Sequence, residues 1–246
     1  MKIRFHGVGC VPMEQMARNV EACHALGIPD VGDAKRTRLA VVGGGHSLLS
    51  HLDELRNFDG DLWIVAGAHR WCAWHGIKGW FFAIGPELVI AELAHDVTHA
   101  VLSSCVDPSV FEAVKGAQIR VLNLTSSGDM IDHGPSTVTA GFVHAIRAGY
   151  REVTFYGCDS SYQEGWNSHA YENAPHPYRI NVQCNGERFH TEALLLLQAE
   201  YMATMIRHAP NVFKEKSGGL LRAMVADPEY DVTHRSQELI DYQEAA

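Results

Sequence analysis

Residues 38–47 read RLAVVGGGHS. Leu39, Ala40, Val41 and Val42 form a short unbroken apolar run, the pattern of a strand buried on both faces, and three glycines end it at once. Lacking Cβ atoms, Gly43, Gly44 and Gly45 accept positive φ and let a ligand approach the main chain. Leu48, Leu52 and Leu55 follow at spacings of four and three, so a helix is expected from about Ser47. Strand, glycine turn and helix start together present unpaired N–H groups at the positive end of a helix dipole, which suits phosphate oxygens. The stretch is neither GxGxxG nor GxxxxGK[ST], because no lysine follows the glycines. A plain strand-to-helix turn would read the same.

Outward from this turn the same alternation recurs. Residues 61–65 (DLWIV) read as a second strand closed by Ala66 and Gly67, and Trp71, Cys72 and Trp74 as a helix packed on the sheet. The run Trp80, Phe81, Phe82 leads into a third strand ending at Gly85 and Pro86. The clustered tryptophans fit core packing better than a stacking platform for a base. Residues 98–102 and 118–122 are further strands, and between them Asp107 and Pro108 start a helix as an acidic cap followed by proline at the first helical position. Pro135 and Ser136 open another helix, with Val138, Phe142, Ala145 and Ile146 on one face and Gly149 at its end. Residues 153–156 then deliver Gly157, Cys158 and Asp159 to the sheet edge that carries the triple glycine. Asn185 and Gly186 centre a hairpin, and Leu195, Ala199, Met202 and Ile206 define a long helix.

This succession predicts an α/β fold: a Rossmann-like, doubly wound, mostly parallel sheet with helices on both faces, plus a C-terminal hairpin and helices. In such sheets ligands bind beyond the carboxyl ends of the strands, where the strand order reverses. Residues 2–5 read as a short strand, and Met13, Met16, Val20 and Cys23 as a helix ending before Gly27 and Pro29. The expected organisation is an N-terminal helical extension at 1–37, a nucleotide-binding core at 38–177, and a hairpin-and-helix annex at 178–246.

Twenty Lys and Arg against 29 Asp and Glu give a formal charge of −9, which argues against a protein that grips nucleic-acid polymers or anionic membranes. The six cysteines are scattered, form no CxxC pair, and accompany neither a signal peptide nor a membrane-length apolar segment. Buried free thiols in a reducing cytoplasm fit that pattern. Fifteen histidines include no HExxH and no zinc spacing with cysteine, so neither zinc nor haem is expected. Oligomeric state leaves no mark in the sequence.

Four blocks in order carry a resemblance: GGGHS at 43–47, GPSTVTAGFVHAIRAGYREVTFYGCDSSYQEGWNSHA at 134–170, NGERFHT at 185–191, and KSGGLLRAMV at 216–225. Together they resemble the 6-hydroxymethylpterin diphosphokinase MptE-like family over most of the chain. The resemblance implies a Rossmann-like sheet and nucleotide-dependent transfer, in the named member of diphosphate from ATP to a pterin alcohol. Other members resemble flagellin-modifying glycosyltransferases, and the first strand and the 149–159 block are also similar to bacterial sialyltransferases that use CMP-activated sugars. The sequence departs from the family pattern at His46, where proline is usual, and at Gly67 and Gly85, where relatives tend to carry asparagine and aspartate.

Gly43, Gly44, Gly45 and Ser47 are therefore expected to cradle nucleotide phosphates, with Ser136 either holding a further phosphate group or capping its own helix, and Tyr162 beside them. Asp159 is a candidate for magnesium, for a ribose or sugar hydroxyl, or for a base, and alternatively caps the next turn. His169 is the candidate acid/base, because an imidazole both takes and gives a proton near neutral pH. Arg70 and Arg179 are the cations available for a leaving group. The leading expectation is a diphosphokinase-like transferase using ATP and magnesium on a small hydroxymethyl acceptor. A glycosyltransferase using a CMP-activated or other nucleotide sugar on a glycan or small-molecule acceptor is the alternative, and a non-catalytic nucleotide binder the second alternative.

Overall fold

The structure, a computed structural model, describes residues 11–32, 36–123, 125–126, 129–130, 134–163, 169–170, 180–227 and 229–230. The expected strand at 2–5, Cys10, Arg179 and the C-terminal tail beyond 230 lie outside them, as does most of the polar loop after Tyr162. In chain order the elements are α1 (Met13–Ala25), β1 (Arg38–Val42), a 3-10 segment (His46–His51) running into α2 (Leu52–Arg56), β2 (Asp61–Val65), α3 (Ala66–Trp74), β3 (Trp80–Ala83) and α4 (Val89–Leu93). They continue with β4 (His99–Ser103), α5 (Pro108–Ala113), β5 (Gln118–Leu122), β6 (Thr125–Ser126), β7 (Asp129–Met130), α6 (Thr137–Arg147) and β8 (Glu152–Tyr156). The chain closes with β9 (Ile180–Cys184), β10 (Glu187–Thr191), α7 (Ala193–His208), β11 (Phe213–Lys216) and α8 (Gly219–Ala226).

Seven strands pair in parallel in the order β11-β8-β1-β2-β3-β4-β5. From β1 the chain steps one way to β5, then returns through α6 to place β8 on the other side of β1. Strand order therefore reverses at the β8–β1 boundary, which is the switch point of a doubly wound sheet. The α/β Rossmann-like class follows, and β9 and β10 pair separately as the antiparallel hairpin about Asn185 and Gly186.

Side chains alternate across the sheet with period two. Leu39, Val41, Trp63, Phe82, Val101, Val153 and Phe155 pack on α6, α7 and α8 on one face. Ala40, Val42, Leu62, Ile64 and Tyr156 pack on the 3-10 segment, α2 and α3 on the other. Phe81, Ala100 and Leu102 continue that second face against α5, with Cys23 of α1 in the same cluster. Phe142 of α6 stacks on Phe155 of β8 at 4.2 Å between centroids and meets Phe213 of β11 edge-on at 4.7 Å. The caps are as expected: the Asp107 carboxylate accepts from the Ser109 amide at 2.9 Å, and Ser136 and Thr139 form a reciprocal capping box.

Several features differ from the sequence reading. The helix expected from Ser47 begins as a 3-10 segment, because the Leu48 amide reaches back only to the Gly45 carbonyl (3.1 Å) while the Ser47 amide is drawn to Asp159. Residues 30 and 31, expected to belong to the N-terminal helical extension, are bound to the sheet edge: the Val31 amide donates to the Val121 carbonyl and the Val121 amide to that of Pro29. Phe213–Lys216, not read as a strand, is β11 and lies inside the stretch expected to form an annex. Trp74 is 72% exposed rather than packed in the core, and the Arg70 guanidinium lies over its ring. No described helix is long and apolar enough to cross a membrane, and the five described cysteines are buried and free.

Candidate functional site

The carboxyl ends of β1 and β8 run side by side, and their backbones meet. The Gly43 amide donates to the Tyr156 carbonyl at 2.8 Å and the Gly45 amide to the Gly157 carbonyl at 2.7 Å. A Cβ at Gly43 would stand 2.5 Å from the Gly157 oxygen, and one at Gly45 would stand 2.7 Å from Cγ of Asp159. Glycine at 43 and at 45 is thus required by the crossing of the two segments. The expected positive φ is found instead at Gly157 (+61°), while Gly45 is extended at φ −65°, ψ 160°.

This crossing also engages most of the amides expected to face a ligand. The Gly43 and Gly45 amides donate across to the Tyr156 and Gly157 carbonyls, the Leu48 amide donates back to Gly45 within the turn, and the Ser47 amide donates to Oδ2 of Asp159 at 2.8 Å. Oδ1 of Asp159 accepts from the Gly218 amide at 2.9 Å and from the Ser47 hydroxyl. Asp159 is 5% exposed, so the protein's own carboxylate fills the anion position that residues 43–47 were expected to offer a phosphate. Both donors of Ser47 serve that carboxylate. The Gly44 amide alone among the turn's glycine amides has no partner among the described residues. Its carbonyl accepts from the Ala170 amide at 2.8 Å, which pins 169–170 over the turn.

Beside the turn lies a cavity of about 310 Å³. Its floor is Gly43, Gly44, Gly45, Gly157, Cys158, Asp159 and Ser160. Ser136, Thr137 and Val138 of the α6 start form one wall, Leu195 and Gln198 of α7 another, and Val65, Ala66, Ile90 and Leu93 an apolar end above β2 and β3; His169 also lines it. Six of the eight predicted site residues, Gly43, Gly44, Gly45, Ser136, Asp159 and His169, converge here. Ser47 and Tyr162 do not line it. Tyr162 is buried, with its amide on the His190 carbonyl (2.7 Å) and its hydroxyl on Glu192 (3.1 Å), and so ties the hairpin to the sheet edge. Arg70 is not among the lining residues either.

With the Gly43, Gly45, Ser47 and Leu48 amides internally engaged, the main-chain donors left at the cavity are that of Gly44 and those at the start of α6. Ser136 caps this helix, its hydroxyl accepting from the Thr139 amide, and the amides of Thr137 and Val138 are the first-turn donors a helix leaves unpaired. Those two and the Gly44 amide carry the positive potential of the cavity. Gly67 lines the cavity without a side chain, and at Gly85 a Cβ would collide with the Glu87 carboxylate. Cys158, fully enclosed, has its thiol pushed far above the usual range by burial and then by the Asp159 charge, so it stays protonated.

Magnesium fits these residues poorly. Asp159 is the single carboxylate among the described lining residues, and three hydrogen bonds already occupy its oxygens. No group of three or more His, Cys, Asp or Glu converges among the described residues. Sequence reading missed Val65, Ile90, Leu93, Leu195 and Gln198 as lining residues. Of these, only Gln198 carried a signal, as a polar residue set in the apolar run of 194–206.

No family model matches the chain, and no curated protein does. Among solved structures it is similar to a MAf glycosyltransferase from Magnetospirillum magneticum AMB-1, with a TM-score of 0.61 and 17% identity over 84% of this chain. The match covers 36% of that protein, so this chain spans little more than a third of it. At this identity the likeness establishes the shared fold.

Proposed function

We propose that this chain binds a nucleotide-activated donor in the switch-point cavity and transfers a glycosyl group from it. The observation that carries the proposal is the pairing of an amide anion seat at α6 and Gly44 with a cavity whose one described carboxylate is already internally bonded. ATP-dependent diphosphoryl transfer calls for magnesium and cationic side chains around the leaving group. The described lining residues include neither lysine nor arginine. A phosphate leaving group already carried by the donor asks only for donors aimed at its oxygens. The fold shared with a glycosyltransferase agrees with this choice.

In this reading an acceptor hydroxyl attacks the anomeric carbon and the bond to the phosphate oxygen breaks. The nucleotide departs with the bonding pair, its charge met by the Thr137, Val138 and Gly44 amides. The acceptor proton passes to His169, placed at the cavity by the Ala170–Gly44 hydrogen bond. The base occupies the apolar end at Val65, Ala66, Ile90 and Leu93. Asp159 takes no proton; it fixes the turn and the start of α8 around the site.

A thermal-unfolding screen with CMP, UDP, GDP and ATP, each with magnesium and with EDTA, tests this. Stabilisation by one of the first three, equal with and without metal, is expected; at a hundredfold excess over Kd it amounts to about 2.7 kcal/mol. Stabilisation by ATP only with magnesium would instead favour the diphosphokinase reading, and no response to any nucleotide would end the proposal. Nucleotide binding without turnover of the matching nucleotide sugars would leave a binder.

A further inference from the structure

Gln198 lies on α7, 9% exposed, and lines the cavity. Its Nε2 donates to the Ser160 hydroxyl at 2.9 Å. That hydroxyl has one hydrogen, which goes to the Cys158 carbonyl at 3.2 Å, so it can only accept from Gln198. The amide's orientation is therefore set by chemistry: Nε2 faces Ser160 and Oε1 is left over. Oε1 has no partner among the described residues and is not among the side-chain atoms sealed from solvent without one.

Ser160 is itself held hard. It adopts φ +53°, a left-handed conformation costly for a residue with a Cβ, and its carbonyl accepts from the buried Thr191 hydroxyl at 2.8 Å. The donor side of Gln198 is thus anchored to a rigid point, and an immobilised amide presents its oxygen with little further loss of entropy.

Position along the sheet edge says which part of a ligand that oxygen meets. The apolar end sits over β2 and β3, the glycine turn ends β1, and Ser160 follows β8, so these three lie in lateral order β3, β2, β1, β8. At about 4.8 Å per strand the apolar end and Gln198 are separated by roughly 10–14 Å. A base at one end and a phosphate over the middle leave the transferred group at the other.

We infer that Gln198 is a specificity residue whose Oε1 accepts a hydrogen bond from a hydroxyl or N–H of the transferred glycosyl group. The inference rests on the glycosyl-transfer reading above and adds the group that recognises the sugar.

The test compares Kd for the nucleotide that binds wild type best among CMP, UDP and GDP with Kd for a nucleotide sugar of the same base, by calorimetry. It uses wild type, Gln198→Met and Gln198→Glu, with far-ultraviolet circular dichroism and melting to establish folding. The readout is the ratio of the two constants, which cancels any general effect on nucleotide binding. Wild type is expected to bind the nucleotide sugar more tightly than the nucleotide; Gln198→Met should lose about 5- to 30-fold of that advantage, the loss expected for one buried hydrogen bond. Gln198→Glu, which retains an acceptor oxygen, should keep it.

An unchanged ratio in Gln198→Met, or a wild-type ratio of one, would overturn the assignment while leaving the nucleotide site standing. Loss in both variants would also overturn it, because the side chain would then act through Nε2 and Ser160. Failure of wild type to bind any nucleotide would defeat the underlying reading instead. If Gln198→Met does not fold, Gln198→Glu decides alone: a retained advantage supports the inference and a lost one refutes it.

Discussion

At Gly45 a methyl group would stand 2.7 Å from Cγ of Asp159, whose carboxylate three hydrogen bonds hold in place, and 2.9 Å from the Gly157 oxygen, a main-chain atom bonded to the Gly45 amide. The need for glycine was legible in the run GGG, but its cause was not, since close approach by a strand 112 residues later leaves no local trace. The same distance hid the fate of Asp159. Its arrival at the sheet edge followed from the strand before it, whereas its engagement by Ser47 and Gly218 needed the assembled fold. Histidine content was equally mute about His69. This residue of α3 is 8% exposed, packs edge-on against Phe81, and has a buried Nδ1 without a partner. Burial lowers its pKa below that of an ordinary histidine, with a hydrogen bond to the Gly79 backbone acting the other way. The unfolded chain therefore takes up a proton more readily than the folded one as pH falls through about 6.5, so the stability contributed by a neutral His69 is complete above that pH and is lost below it. Urea unfolding of His69→Phe from pH 7.5 to 5 should show a shallower acid loss than wild type, whatever the offset at pH 7.5. Parallel curves would contradict the assignment.

Among the elements, those with an apolar run and a capping residue were readable: β1 to β5, β8, the hairpin, α5 and α6. β11 was not, because FKEK looks like surface. Lys214 pairs with Glu152 at 3.1 Å and Lys216 with Glu54, leaving Phe213 as the buried anchor of an edge strand dressed in charge. The 3-10 segment was misread as α-helix because leucine spacing reports a buried face without saying how tightly the backbone winds. Phe213 meets Phe142 edge-on and Phe155 at a tilt, so Phe213→Ala removes a ring from the layer that joins β11, β8 and α6. A loss of about 3–5 kcal/mol in chemical denaturation is expected. A loss under about 1 kcal/mol, within the range of surface substitutions, would mean β11 is peripheral to the sheet.

For the molecule as a whole, the reversal of strand order at β8–β1 was implicit in the βα alternation, and it determines where the cavity lies. The chemistry inside the cavity was less legible, since six site residues came from motifs while the apolar end and α7 wall came from packing between distant segments. In the proposed glycosyl transfer, phosphate is held by main-chain amides at the start of α6. Thr137 is the first residue of that helix, and Ser136 before it is extended at φ −149°, ψ 170°, a conformation compatible with a following proline. Proline at this position removes one N–H without removing a helical hydrogen bond. Calorimetric titration of Thr137→Pro with the nucleotide that wild type prefers should show Kd weakened about 10- to 100-fold, the effect of one charge-assisted hydrogen bond, with the unfolding midpoint unchanged. Wild-type affinity in a folded Thr137→Pro protein would contradict the account.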